Sequence, residues 1–303
     1  MKIIFSRKGF DSQYGGRPSP IFEDKTFFSL PIPYDEGMPF ADVSYKCNNG
    51  KSMNLMDLLN ELGGFKTKDE TRLRKVEKND CCHYDPDISD NVTIEKRDKT
   101  WQRGFGQKGS AQKLLEAENY EVEKGDIFIF FGTFKDVSEK NGTYKFKRGS
   151  KNRHVIFGWL QVGEILEINP DTNNKNDKNK YLSLKNHPHY NWDTHVNNVI
   201  YLPTENLSLN SEIKGYGTFE KYDYKLSLTK GNKNKSIWEL PKCFHKDNGV
   251  KLSRHENEPW EKVEKDFFNL QTVPRGQEFV LNYDNAAQKT KDEIETWVKN
   301  LFV

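Results

Sequence analysis

Between Asp126 and Phe134 the chain reads DIFIFFGTF, and twenty residues further on His154 to Ile168 reads HVIFGWLQVGEILEI. Two apolar runs of this length, rich in Ile, Val and Phe, demand a sheet able to bury them. A Lys-Gly-Asp turn opens the first run. The second holds Gly158 and Gly163, where a bend or bulge is cheap. Phe130 and Phe157 are expected in the core, and Tyr144 to Lys147 alternates like an edge strand. Lys2 to Phe5, Val199 to Leu202, Phe219 to Leu228 and Glu278 to Leu281 are further strand candidates.

Helical patterns are few. Ser52 to Leu62 carries apolar residues at 53, 55, 56, 59 and 62, with Ser52 as cap and Gly63-Gly64 as stop. Ser110 to Asn119 is a second short helix. Asp284 to Leu301 closes the chain as an amphipathic one through Ile294, Trp297, Val298 and Leu301. The charged stretch 66–80 reads as a solvated helix end or loop, and 169–180 as a polar low-complexity loop. The reading is one α+β unit over 1–303, with a mixed part at 1–120 carrying polar site loops and a β-rich part at 121–303. The expected architecture is a curled, mostly antiparallel sheet or a small PUA-like barrel with flanking helices.

Composition narrows the class. Hydrophobic residues make up 34% and charged residues 30%, but 13% aromatics argue against disorder. Lys plus Arg number 47 against 45 Asp plus Glu, so any nucleic-acid contact must come from a local basic face. No apolar run nears the roughly 18 residues of a membrane span, and no signal-peptide core opens the chain. A soluble cytoplasmic protein is expected. Cys47, Cys81, Cys82 and Cys243 form no CxxC, which disfavours a disulfide framework or a Cys-rich zinc site.

Polar blocks carry the candidate chemistry. After the first strand, Ser6, Arg7, Lys8, Arg17 and Ser19, with Gly9, Gly15 and Gly16, suit phosphate binding, and Asp11 lies in the same loop. A plain surface turn fits that composition equally well. His83-Tyr84-Asp85-Pro86-Asp87 sets two carboxylates at i and i+2, which point the same way on an extended backbone. They suit acid–base work, sugar positioning or a metal; alternatively they cap backbone amides in a turn. Gln107 precedes a helix start, where it would orient a base or sugar. Arg275, Gln277 and Glu278 lead into an apolar strand, where Glu278 is a catalytic carboxylate or half of a buried ion pair. His187 and His189, with His195 near by and His83, have metal-ligand atoms but sit in a polar loop, so exposed histidines are expected and no metal is assigned. Gly50-Lys51-Ser52 lacks the spacing of a phosphate loop.

Taken in order, these blocks resemble one family. Ser6-Arg7-Lys8-Gly9-Phe10-Asp11-Ser12 and Gly15-Gly16-Arg17-Pro18-Ser19-Pro20-Ile21 resemble the opening of nucleotide modification associated domain 3 proteins. His83-x-Asp85-Pro86-Asp87 and Phe105-Gly106-Gln107-x-Gly109-x-Ala111-Gln112 are similar to two further segments of that family. So are the central strands at 125–132 and 157–164 and the block 275–281. The resemblance implies an α+β domain of bacteria and phages, linked to nucleotide or DNA modification by genomic neighbourhood, and it carries over no catalytic residues.

Three functions compete. The first is an enzyme acting on a nucleotide or nucleic-acid base, cleaving or transferring at a glycosidic bond through Asp85, Asp87, Asp11 or Glu278, in DNA modification or phage-related defence. The second is a non-catalytic reader holding a base between aromatics such as Phe131, Trp159 and Tyr190. The third is a metal-dependent nuclease using Asp85, Asp87 and Glu278. The expected partner is a nucleotide or nucleic acid, with no membrane. No cofactor is implied, and the sequence leaves the oligomeric state open.

Overall fold

A computed structural model describes residues 1–303 except 48–49, 51, 96, 98–99, 169–181, 191–196, 265 and 274–275. Ten strands form its main sheet. They are β1 (Ile3–Arg7), β2 (Ser19–Ile21), β3 (Phe105–Lys108), β4 (Ile127–Lys140), β5 (Thr143–Phe146), β6 (Arg153–Glu167), β7 (Asn198–Pro203), β8 (Tyr216–Thr218), β9 (Lys251–Leu252) and β10 (Glu278–Asn282). The order is β9-β10-β1-β4-β6-β7-β3, with β2 and β5 also on β4, and β8 on β6. β1 and β2 run parallel to β4, and the other pairs are antiparallel.

The two apolar runs pair with each other at the centre, as their composition requires, and Phe130 and Phe157 are buried. Both glycine sites in β6 are irregular. The register slips where Phe130 faces Gly158 but Phe131 faces Ile156, and again between Val162 and Glu164. A Cβ on Gly158 would lie 2.6 Å from Ile88 Cδ1 and 2.7 Å from the Gly217 carbonyl, so that residue also has to be small.

The molecule is mostly β, with three helices among the described residues. The sheet is open, with β9 and β3 at its two ends, and the closed PUA-like barrel is not seen. Other expectations also shift. Phe219 to Leu228 is not a strand: β8 precedes it, and a 3-10 turn occupies Tyr224–Leu226. Ser52–Asn54 is a strand, so the cap of helix α1 (Leu55–Glu61) is Asn54, whose side chain accepts from the backbone N–H of Met56 and Asp57. α2 spans Gly109–Leu115, and α3 spans Gln288–Asn300, with Ile294 and Val298 fully buried.

Two large apolar clusters sit against the sheet. One joins its central strands to Trp238, Phe244 and α3; the other gathers Phe10, Phe40, Phe65 and the leucines of α1. A small three-stranded sheet of Ile32–Tyr34, Cys81–His83 and Met38–Pro39 has Cys81–His83 in the middle. It delivers the His83-to-Asp87 segment to the β3 end of the main sheet, where Asp87 bridges Gly104.

Candidate metal centre

The antiparallel pairing of β1 with β10 sets Ser6 opposite Glu278. The Ser6 hydroxyl donates to Glu278 Oε1 at 3.0 Å, and the Lys8 ammonium donates to the same oxygen at 3.2 Å. Gln107 Nε2 from β3 makes a short third hydrogen bond to it. Glu278 is wholly buried, and its Oε2 has no hydrogen-bond partner among the described residues. Lys8 also covers the Phe105 ring, 4.4 Å from its centroid.

One residue earlier on β3, the Gly106 N–H donates to Asp85 Oδ1 at 2.8 Å. Gly106 must be bare because a Cβ there would stand 2.3 Å from the His189 ring. The Phe-Gly-Gln block thus has three separate duties: Phe105 fills the core, Gly106 admits an imidazole, and Gln107 holds a buried carboxylate.

Three imidazoles surround Asp85. His187 Nε2 lies 3.4 Å from Oδ1, while the Nε2 atoms of His83 and His189 each lie 3.9 Å from Oδ2. One ligand atom from each of His83, Asp85 and His189 falls within 4.8 Å of the others. Atoms bound to one ion at about 2.0–2.2 Å are at most about 4.4 Å apart, so the trio needs only a small contraction to share one.

Hydrogen bonds fix the proton positions. Asn198 Nδ2 donates to the His189 carbonyl at 2.7 Å, which leaves its amide oxygen to face His189 Nδ1 at 2.7 Å. That oxygen only accepts, so Nδ1 carries the ring proton and Nε2 of the neutral ring is unprotonated. The His189 N–H donates to His187 Nδ1 at 3.2 Å, which puts the His187 proton on Nε2, directed at Asp85 Oδ1. Oδ1 therefore faces donors, and Oδ2 faces the lone pair of His189.

Burial drives both His83 and His189 down to about 3, so both rings are neutral at ordinary pH. Burial pushes the Asp85 carboxyl up, but the adjacent His187 and His189 rings and the Lys8 ammonium outweigh it and hold it below its ordinary range. Burial also lowers the Lys108 ammonium to about 8. Two neutral imidazole nitrogens and one carboxylate oxygen, converging in a desolvated spot, form a donor set for a divalent transition metal. His187 cannot join them while its Nδ1 accepts and its Nε2 is protonated. It positions Asp85 instead.

A cavity of about 470 Å³ adjoins the cluster, and Tyr34, Tyr84, Arg97, Trp101 and His187 are among its walls. The Tyr34 ring also packs edge-on against His83.

The structure thus gathers Ser6, Lys8, Asp85, Gln107 and Glu278 from widely separated blocks. It sends other candidates elsewhere. Asp87 does not point with Asp85: buried Asp87 takes Arg97 at 2.6 Å and Arg103 at 2.7 Å, while Asp85 takes the Gly106 N–H. Asp11 caps the backbone N–H of Gln13 and Tyr14. Ser19 accepts from Leu30, and Arg17 reaches the Gly63 carbonyl beside Phe146. Strand alternation turns Arg7 away from Ser6 and Lys8, towards Lys235 and His154. Gln277 is exposed and offers only its carbonyl, to Arg7. Arg275 and His195 lie outside the described residues.

Two corrections concern the ring residues. His187 and His189 are 1% and 3% exposed, not surface histidines, because the loop that carries them folds under the end of β7 and β3. Of the aromatics considered for a reader pocket, Phe131 and Trp159 are core residues, and Tyr190 packs with Leu184 and Ile200. Asn198 and Gly106 were not singled out from sequence. The repeated His-x-Asp and His-x-His spacings were the available signal.

The chain belongs to the nucleotide modification associated domain 3 family, whose model matches residues 2–282. Membership gives it a role associated with nucleotide modification. No curated protein and no solved structure matches it. Among the described residues, no helix is long and apolar enough to cross a membrane.

Proposed function

We propose that the chain is a metal-dependent enzyme acting on a nucleotide or a nucleic-acid base, with a divalent ion held by His83, Asp85 and His189. The observation that carries this reading is the convergence of one ligand atom each from His83, Asp85 and His189 to within 4.8 Å of one another, with both imidazoles buried. Three protein ligands would leave open positions for water and substrate, the arrangement by which a metal acts as a Lewis acid or activates water. The family role supports a nucleotide or base as substrate. The reaction class favoured is cleavage or transfer at the base or its glycosidic bond, with the paired Glu278 and Lys8 as acid–base candidates.

The carboxylate-only mechanism is less well supported, because Asp87 is held between two guanidinium groups. A test is turnover of nucleotides and oligonucleotides by chelator-stripped protein with Mn²⁺, Fe²⁺, Co²⁺ or Zn²⁺ restored. Activity that returns with one of these ions in wild type but not in Asp85→Asn supports the reading. Full activity in chelator contradicts it.

A further inference from the structure

We propose that the 470 Å³ cavity beside the cluster receives an amino-bearing nucleobase, namely cytosine, adenine or guanine, and leaves the phosphate outside. This rests on the reading of the cluster as the reacting centre. The volume lies in the range of small-ligand pockets. Its shelf is Trp101, whose ring is covered on one side by the Arg97 guanidinium, 4.7 Å from the centroid. Asp87 fixes that guanidinium with a 2.6 Å ion pair, so the stack is rigid before any ligand arrives. Tyr34, Tyr84, Met38 and Ile94 add apolar wall. A planar ring that slides onto Trp101 would therefore meet a preformed surface.

Charge decides which part of a nucleotide enters. The cavity is lined by the carboxylates of Glu36, Asp42 and Glu95 and by the cations Arg97 and Lys185. Arg97 is already matched by Asp87. The carboxylates of Glu36 and Glu95 disfavour a phosphate beside them and offer acceptors to an exocyclic amino group. Glu36 and Glu95 stand exposed at the rim, where such an acceptor can desolvate on binding. His187, which positions Asp85, is the wall the cavity shares with the cluster, and His83, Asp85 and His189 lie behind it.

The test is equilibrium binding of cytidine, adenosine and guanosine against uridine and inosine, and of each nucleoside against its monophosphate. It is run at low salt on chelator-stripped and Co²⁺-loaded protein. Amino nucleosides should bind at least about tenfold tighter than uridine or inosine, and a 5′-phosphate should not improve affinity. Glu95→Gln and Glu36→Gln together should erase the amino preference, and Trp101→Ala should weaken every nucleoside. Equal binding of cytidine and uridine, or monophosphates binding tenfold tighter than nucleosides, overturns the proposal. Co²⁺ binding without nucleoside binding defeats this inference alone, whereas nucleoside selectivity without Co²⁺ binding defeats the metal reading alone.

Discussion

Asn198 and His189 exchange two hydrogen bonds of 2.7 Å: the Asn198 amide donates to the His189 carbonyl, and its amide oxygen receives the ring Nδ1–H. The exchange determines the protonation of the ring, and thereby which atom of His189 is offered to the cluster. Asn198→Ala should weaken divalent-metal binding by about 10–100-fold without changing its stoichiometry, as expected when an outer partner of a ligating imidazole is lost. Isothermal titration with Zn²⁺ measures it. An unchanged affinity would remove Asn198 from the account.

Gly106 sets the space for the same ring. Gly106→Ala places a methyl 2.3 Å from His189 and should cost about 1–3 kcal/mol in urea unfolding while abolishing metal binding. Gly109→Ala is the control. No atom lies within 4 Å of the added carbon, but φ is +61°, so backbone strain of about 1 kcal/mol is expected with metal binding intact. If both variants bind metal like wild type, the Gly106–His189 contact has no functional weight.

The buried pair of Lys8 and Glu278 gives a stability prediction. Glu278→Ala leaves a mostly buried ammonium without its carboxylate and should destabilise by about 3–5 kcal/mol. Adding Lys8→Met should recover part of that loss. A double-mutant cycle checks this, and additive effects of the two changes would contradict direct coupling.

How much of this could be read from sequence depends on the range of the interaction involved. β4 and β6 were legible because their apolar runs are long and the signal lies within each run. Phe219 to Leu228 carries four charged residues among its ten and contributes only isolated bridges at Lys221 and Ser227 and a 3-10 turn. The polar blocks at 6–8, 83–85, 107 and 278 were legible as candidates, since polar residues flanking apolar strands are costly unless used. The burial of His187 and His189 was not legible. It depends on Gly106 and Asn198, which are distant from the loop or silent in pattern. Asp85 and Asp87 part because their partners, three imidazoles and two guanidinium groups, come from different directions.

An acid-stability prediction follows from Arg74 and Asp80. The Arg74 hydrogen bonds hold the Asp80 carboxyl below its ordinary value, aided by the Glu77 N–H and opposed by burial. A depressed folded value means that the contribution is present above the unfolded value of about 4 and is lost as pH falls through the folded one. Arg74 is 38% exposed, so solvent screening limits the effect to about 1 kcal/mol or less. Asp80→Asn should lower stability at pH 7 and reduce its decline between pH 5 and 3 by the same amount. Parallel pH profiles for the two proteins would contradict the assignment.

The central claim is that His83, Asp85 and His189 hold one divalent ion. Its most direct measurement is titration of chelator-stripped protein with Co²⁺, followed by visible d–d absorption. The account predicts one saturable site per chain in wild type and in Asp87→Asn, and loss of that site in Asp85→Asn and His189→Ala. Absence of a Co²⁺ spectrum in folded wild type, or an unaltered spectrum in both cluster variants, would contradict it.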